Sequence, residues 1–324
     1  MEAMNVSAKI LCGLLPLAGL SVGCSSPSGL RLPTTNGWGL TRGDLAAAAQ
    51  QIPGASGRAR LVHTPDGNTV SLSEAANELA AADVVFLGEL HDNPEGHAVQ
   101  LALTKALAER RGRIILSMEM FERDAQRRLD LYLRGAVSEE HFLAGARPWG
   151  NYAEHYRPAV EFARTEGFPV IAANVYRPIA SRVARKGLLA GLGDPWAARS
   201  VDTSAGEYRR RFEEVMTGDH PVSDSTMDRV FASQCIKDDT MAESIAHAIQ
   251  DESDGEAQTP IVVHWNGRFH SDYGLGTVER LRTRMPELNI AVVSMIVTSN
   301  LDRDLRGDEP DQGHFVVFVP PAPE

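Results

Sequence analysis

The stretch Val84-Val85-Phe86-Leu87-Gly88-Glu89-Leu90-His91-Asp92-Asn93-Pro94 decides how the chain is read. Its unbroken apolar start, Val84 to Leu87, is the pattern of a strand buried on both faces. The run stops at Gly88. Glu89, His91 and Asp92, which can titrate or bind a metal, follow at once. Asn93-Pro94-Glu95 then reads as a helix start, with Asn as N-cap, Pro at the first helical position and an acid in the first turn. A buried strand that ends in acids and a histidine, just before a helix N-terminus, is where an α/β protein places a ligand. The same residues also suit a polar turn with capping carboxylates, so the rest of the chain has to decide.

Working outward, strand and helix patterns alternate. Leu61-Val62-His63 and Val70-Ser71-Leu72 flank Pro65-Asp66-Gly67-Asn68 and predict a β-hairpin, with a short helix over Ser73 to Ala81. Helices are expected over Pro94 to Arg110, Asp124 to Leu133 and Pro158 to Glu166. Strands are expected at Ile114 to Met118, Pro169 to Ala173, Ile261 to Val263 and Ile290 to Val297, with Phe315 to Val319 as an edge strand. From Arg177 to Asp254 only helical spacing appears, at Arg182 to Ala190, Tyr208 to Met216 and Asp238 to Gln250. The expected fold is therefore α/β: a mostly parallel central sheet flanked by helices, with a smaller helical cap inserted at about 178–255.

Polar groups recur at the C-terminal ends of these strands. Glu89, His91 and Asp92 follow one, and Glu119 another. Asn174, Tyr176 and Arg177 follow a third; Gly267, His270 and Asp272 follow a fourth. In a parallel sheet those ends share one rim, so these residues should converge. Paired histidines and carboxylates suit a divalent metal, or acid–base work on a bound water. Gly88 to His91 and Gly267 to His270 repeat the spacing Gly-x-x-His, which would let the backbone turn tightly after each strand. His97, His141 and His247 fall on expected helices and read as surface or satisfied histidines, and His264 as a core or rim histidine. Tyr152 and Tyr156, four apart beside Trp149, would share a face if their segment were helical. Phenolate is a known axial haem ligand.

The N-terminus has the layout of a signal peptide: Lys9, an apolar core from Ile10 to Leu20, then Leu20-Ser21-Val22-Gly23-Cys24. The tail resembles a bacterial lipobox, although Ser21 stands where a branched apolar residue is usual. The expected layout is a signal peptide over 1–23, a lipidated Cys24 with a tether over 24–58, and an α/β domain over 59–320. Ser25 after the cysteine points to sorting to the outer membrane of a Gram-negative cell. Of three cysteines, Cys12 and Cys24 belong to this leader, which leaves Cys235 as a free thiol and a fold held by its core rather than by disulfides. A net charge of −11 argues against nucleic acid or an anionic membrane surface as partner, so membrane contact is expected through the lipid alone.

These segments together resemble the ChaN family of haem-binding lipoproteins, in the superfamily that includes Tiki, TraB and the erythromycin esterases. The matching pieces are Gly88-Glu89-Leu90-His91-Asp92-Asn93, Met118-Glu119-Met120-Phe121, and Gln126, Leu129 and Tyr132 on one helix. Trp149, Tyr152 and Tyr156-Arg157-Pro158 follow, then Val170-Ile171-Ala172-Ala173-Asn174, Gln234 to Asp239 with Met241-Ala242, and Gly267-Arg268-Phe269-His270. The resemblance implies haem or iron acquisition at the outer membrane, and a homodimer that holds two stacked haems on tyrosine ligands. Tyr156 and Tyr152 are the candidates, with Tyr176 in reserve. Enzymes of the superfamily use the paired histidines and a strand-end glutamate. These correspond here to His91, His270 and Glu119, with Glu89 beside them. The alternative is therefore a protease- or esterase-like hydrolase, metal-dependent on those four residues or metal-free.

Overall fold

The computed structural model describes residues 42–217, 223–253 and 260–322. The leader, Cys24 and the start of the tether lie outside them. In chain order the first elements are α1 (Arg42–Ala49), β1 (Arg60–His63), β2 (Thr69–Val70), α2 (Leu72–Leu79), β3 (Val84–Glu89), α3 (Pro94–Arg111) and β4 (Ile114–Glu122). Next come α4 (Gln126–Leu133), α5 (Glu139–Ala146), α6 (Arg157–Glu166), β5 (Val170–Asn174), α7 (Arg177–Lys186), α8 (Glu207–Thr217) and α9 (Asp224–Ser253). The last are β6 (Ile261–Gly267), α10 (Thr277–Arg284), β7 (Ile290–Val297) and β8 (Phe315–Val319).

The eight strands form one sheet in the order β2-β1-β8-β7-β3-β6-β4-β5. Strands β3 to β8 run parallel, and the β1–β2 hairpin joins β8 antiparallel. From β3 the chain goes to one side for β4 and β5. It returns for β6, between β3 and β4, and crosses to the other side for β7. That reversal opens a crevice at the C-terminal ends of β3, β6 and β4. Leu87, Trp265 and Met118 pack on one face against Val99, Leu103 and Val160. Phe86, Val262 and Ile115 pack on the other against Ile245 of α9 and Val278 and Leu281 of α10. Both faces are thus covered, which is why β3 and β6 read as apolar runs without alternation.

Four expectations change. Phe315 to Val319 is an interior strand, fully buried between β1 and β7, because the hairpin closes over it. The sheet's edges are the two-residue β2 and β5, and Gln126 guards β5. Its side-chain amide donates to the Val170 carbonyl (2.8 Å) and accepts from the Ala172 N–H (2.6 Å), as a neighbouring strand would. Second, residues 42–58 belong to the folded body instead of the tether. Ala48, Ala49 and Ile52 are buried, and Ser56 and Arg58 donate to the Glu95 carboxylate in the first turn of α3. Third, the long α9 begins at Asp224, well before Asp238, and spans both the cap and the back of the sheet. Fourth, the cap's first helix is Arg177–Lys186; it stops at Gly187, whose φ is +87°, and a single 3-10 turn follows at Leu188–Ala190. Among the described residues no helix is long and apolar enough to cross a membrane.

Candidate functional site

The parallel register sets Gly267 beside Glu89 and Asn266 beside Gly88, so both Gly-x-x-His segments leave the sheet at one level. The glycines serve close approach here, since neither has positive φ. A Cβ on Gly267 would lie 2.7 Å from His91 Cε1, and one on Gly88 would lie 3.0 Å from the Arg268 Cα. Each glycine makes room for the segment that follows the other strand. β4 continues past Met118 to Glu122, with an irregularity in its pairing to β5, and carries Glu119 to the same crevice.

Glu119 is 4% exposed. Its Oε2 accepts the Gly267 N–H at 2.7 Å, and its Oε1 lies 3.3 Å from His270 Nε2. His270 Nδ1 lies 2.7 Å from Asp238 Oδ1 on α9. Asp238 is fully buried and also accepts from the Tyr208 hydroxyl (2.7 Å) and the Thr277 hydroxyl (2.8 Å). His270 is thus held between two carboxylates. Burial disfavours its charge, but Glu119 and Asp238 outweigh that and push its pKa up to about 10. In return, and against their own burial, His270 holds Glu119 and Asp238 below the ordinary carboxylate range.

Glu89 is 2% exposed and sits on the opposite face of the sheet end. Its Oε1 meets His91 Nδ1 at 2.9 Å and accepts from the Tyr156 hydroxyl at 2.7 Å. Burial works to raise its pKa, but His97 and His91 outweigh this and keep it lowered. His91 has 44% of its side chain exposed and stands edge-on to Trp149, 4.7 Å between ring centroids. Burial opposes its charge, but the hydrogen bond and charge of Glu89 raise its pKa, with further help from Glu119. His91, Glu89, Glu119 and His270 are therefore together, as the strand ends implied.

The remaining expected residues separate. Asp92 is exposed, whereas Asp272 is buried against Arg268 and Ser294. His97 is fully buried between Gln100 and the His91 carbonyl, and stacks on His155. His264 is a core histidine that meets Ser117; burial pushes its pKa down to about 3. Tyr152 and Tyr156 lie in a single π-helical turn and are both buried. Tyr152 packs among Phe121 and Phe142, while Tyr156 faces His97 and Trp149. Burial raises the pKa of each, and Glu89 raises that of Tyr156 further. Tyr176, just past β5, is half-buried, with the Arg147 guanidinium 5.2 Å from its ring centroid. Arg147 and Arg177 both pair with Glu122.

The expectation of a divalent metal on His91, His270, Glu89 and Glu119 finds no support. Among the described residues no three His, Cys, Asp or Glu side chains are arranged to hold a metal ion. Both nitrogens of His270, and Nδ1 of His91, already face carboxylates as hydrogen-bond partners. Asp238 lies within the Gln234–Asp239 segment of the resemblance, where it had no assigned role, and Tyr208 and Thr277 carry no signal in the sequence.

A solved structure shares this fold. No curated protein matches the sequence. A solved structure described as cofacial heme binding to ChaN of Campylobacter jejuni superposes with a TM-score of 0.59 at 16% identity, covering 80% of this chain and 96% of that one. A mutant erythromycin esterase, EreC, in its open conformation superposes with a TM-score of 0.43 at 12% identity, covering 74% and 77%. At such identities the first likeness speaks for the fold alone. The sequence itself matches the model of a family described as haem-binding uptake, Tiki superfamily, ChaN, over residues 75–281, which takes in β3 through β6, the first part of α10 and Glu89, His91, Glu119, Asp238 and His270. The chain belongs to this ChaN haem-binding uptake family.

Proposed function

We propose that this chain is a haem-binding lipoprotein of a Gram-negative outer membrane, serving haem and iron acquisition, and that Tyr176 is the iron ligand. The observation that carries the ligand choice is access. Tyr152 and Tyr156 are buried, and Tyr156 is committed to Glu89, whereas Tyr176 is half-buried at the open rim. Two arginines flank it: Arg147, 45% exposed, and Arg177, 60% exposed. Their guanidinium charges match the carboxylates of haem propionates. When bound, haem supplies ferric iron for the phenolate oxygen. Trp149, half-buried and 4.7 Å from the His91 ring centroid, offers an aromatic wall beside the rim. In this reading Cys24 carries the lipid, and haem brings two copies together as a homodimer.

The test is ferric haem titration of Tyr176→Phe, Tyr152→Phe, Tyr156→Phe and His91→Ala. Loss of the phenolate charge-transfer band in Tyr176→Phe alone is expected. Loss only in His91→Ala would move the iron to the histidine and refute the ligand choice. Cys24→Ser should release the protein from membranes, and sedimentation with and without haem reads the dimer.

A hydrolytic reading of the same rim is favoured by one observation, the Asp238–His270–Glu119 chain beside a half-exposed His91. His91, braced by Glu89, would do acid–base work on a bound water, with His270 held between Glu119 and Asp238 beside it. Ester and peptide hydrolysis abolished by His270→Ala, with haem binding retained, would establish it.

A further inference from the structure

We propose that the turn after α7 is a docking surface for a bilayer containing anionic phospholipid, separate from the haem rim and independent of any lipid on Cys24. Large apolar side chains stand in solvent here: Leu189 is 87% exposed, Leu192 41% and Trp196 43%. The turn is held rigidly in that pose. Arg182 Nε donates to the Ala190 carbonyl at 2.6 Å, and its Nη2 pairs with Asp194 at 3.2 Å. Gly191 lies flat on α7 and α9, so close that a Cβ would sit 2.9 Å from Ile236 Cδ1. Leu188 packs inward on Ile179 and Val183, while Leu189 points out. The leucines are therefore presented by a pinned loop instead of left over from a core.

Charge selects the occupant. The chain carries −11 overall, yet residues 182–199 hold four basic residues (Arg182, Arg185, Lys186, Arg199) against the single acid Asp194, a local balance of +3. Arg185 and Lys186 form the last turn of α7, immediately before the exposed leucines. Basic residues around leucines and a tryptophan match the headgroup and upper acyl layers of an anionic membrane. A protein partner of the same acidic character as this chain would meet the cations but offer no acyl layer for Leu189. The overall charge, which argues against an anionic surface, averages away this local reversal. Tyr176 and the rim lie at the other end of α7, about 15 Å away at 1.5 Å per residue, so docking leaves the rim open.

The experiment uses the full chain on phosphatidylcholine vesicles with or without 30% phosphatidylglycerol, doped with brominated phosphatidylcholine, which quenches tryptophan only on contact with acyl chains. The expected result is a quenched component with phosphatidylglycerol present that Trp196→Phe lacks. Leu189→Glu with Leu192→Glu should abolish it, as should Arg185→Ala with Lys186→Ala. Circular dichroism checks the fold of each variant. Equal quenching in the parent and in Trp196→Phe would overturn the proposal. So would a dimer by sedimentation that the leucine variant dissolves with no quenching, because the face would then belong to a second copy.

Discussion

Replacing Asp238 with Asn tests whether His270 is held as a cation. Asp238 Oδ1 lies 2.7 Å from one ring nitrogen, and Glu119 Oε1 lies 3.3 Å from the other. Together they lift the pKa from an ordinary 6.5 to about 10, a preference for the charged ring on the order of 5 kcal/mol. Asp238 is the closer of the two, so its loss should remove about half of this, roughly 2–3 kcal/mol. The folded pKa is raised, so the stabilisation is fully present below the unfolded value of about 6.5 and is lost as pH climbs toward about 10. In Asp238→Asn the folded value should fall to about 8, and its share should be gone soon above that. The stability gap between parent and variant should therefore hold up to about pH 8 and close toward pH 10. Urea denaturation from pH 6 to 10 reads the gap, and NMR of the His270 ring reads the titration directly. A parent stability that stays level from pH 6.5 to 10, with His270 titrating near 6.5, would refute the reasoning.

Further outcomes follow from the same geometry. Gly276→Ala should cost roughly 2 kcal/mol or more in thermal denaturation, because φ is +57° and the new Cβ would lie 2.6 Å from the His270 backbone oxygen. Gly267→Ala clashes with the His91 side-chain ring and touches Glu119 Oε2 only at an ordinary 3.6 Å, so the fold should survive while the His91 pKa drops toward its ordinary value by NMR as the ring leaves Glu89. Gln126→Ala uncovers the Val170 carbonyl and the Ala172 N–H on β5; a loss of about 1–2 kcal/mol and faster aggregation by light scattering are expected. Tyr156→Phe removes one donor from the buried Glu89, which should cost about 1–3 kcal/mol in urea denaturation, whereas Tyr152→Phe, whose hydroxyl makes no hydrogen bond, should cost little.

The sequence by itself determined the α/β class, the parallel core and the level at which the rim residues meet. These follow from local periodicity: apolar runs that end at Gly88 and Gly267 mark strands covered on both faces, and polar groups after parallel strands must share an edge. The family resemblance was legible partly for the same reason, since several of the segments that carry it are those strand ends. What only the tertiary structure decided was which polar groups face one another. Asp238 meets His270, and Tyr208 and Thr277 meet Asp238, from three separate helices, and no spacing along the chain encodes that convergence. Exposure is equally invisible to spacing. Tyr152, Tyr156 and Tyr176 look alike in sequence, yet packing buries the first two and leaves the third at the rim. The interior place of β8 and the Gln126 guard on β5 likewise depend on chain segments far apart in sequence, whose contacts arise only when the sheet closes.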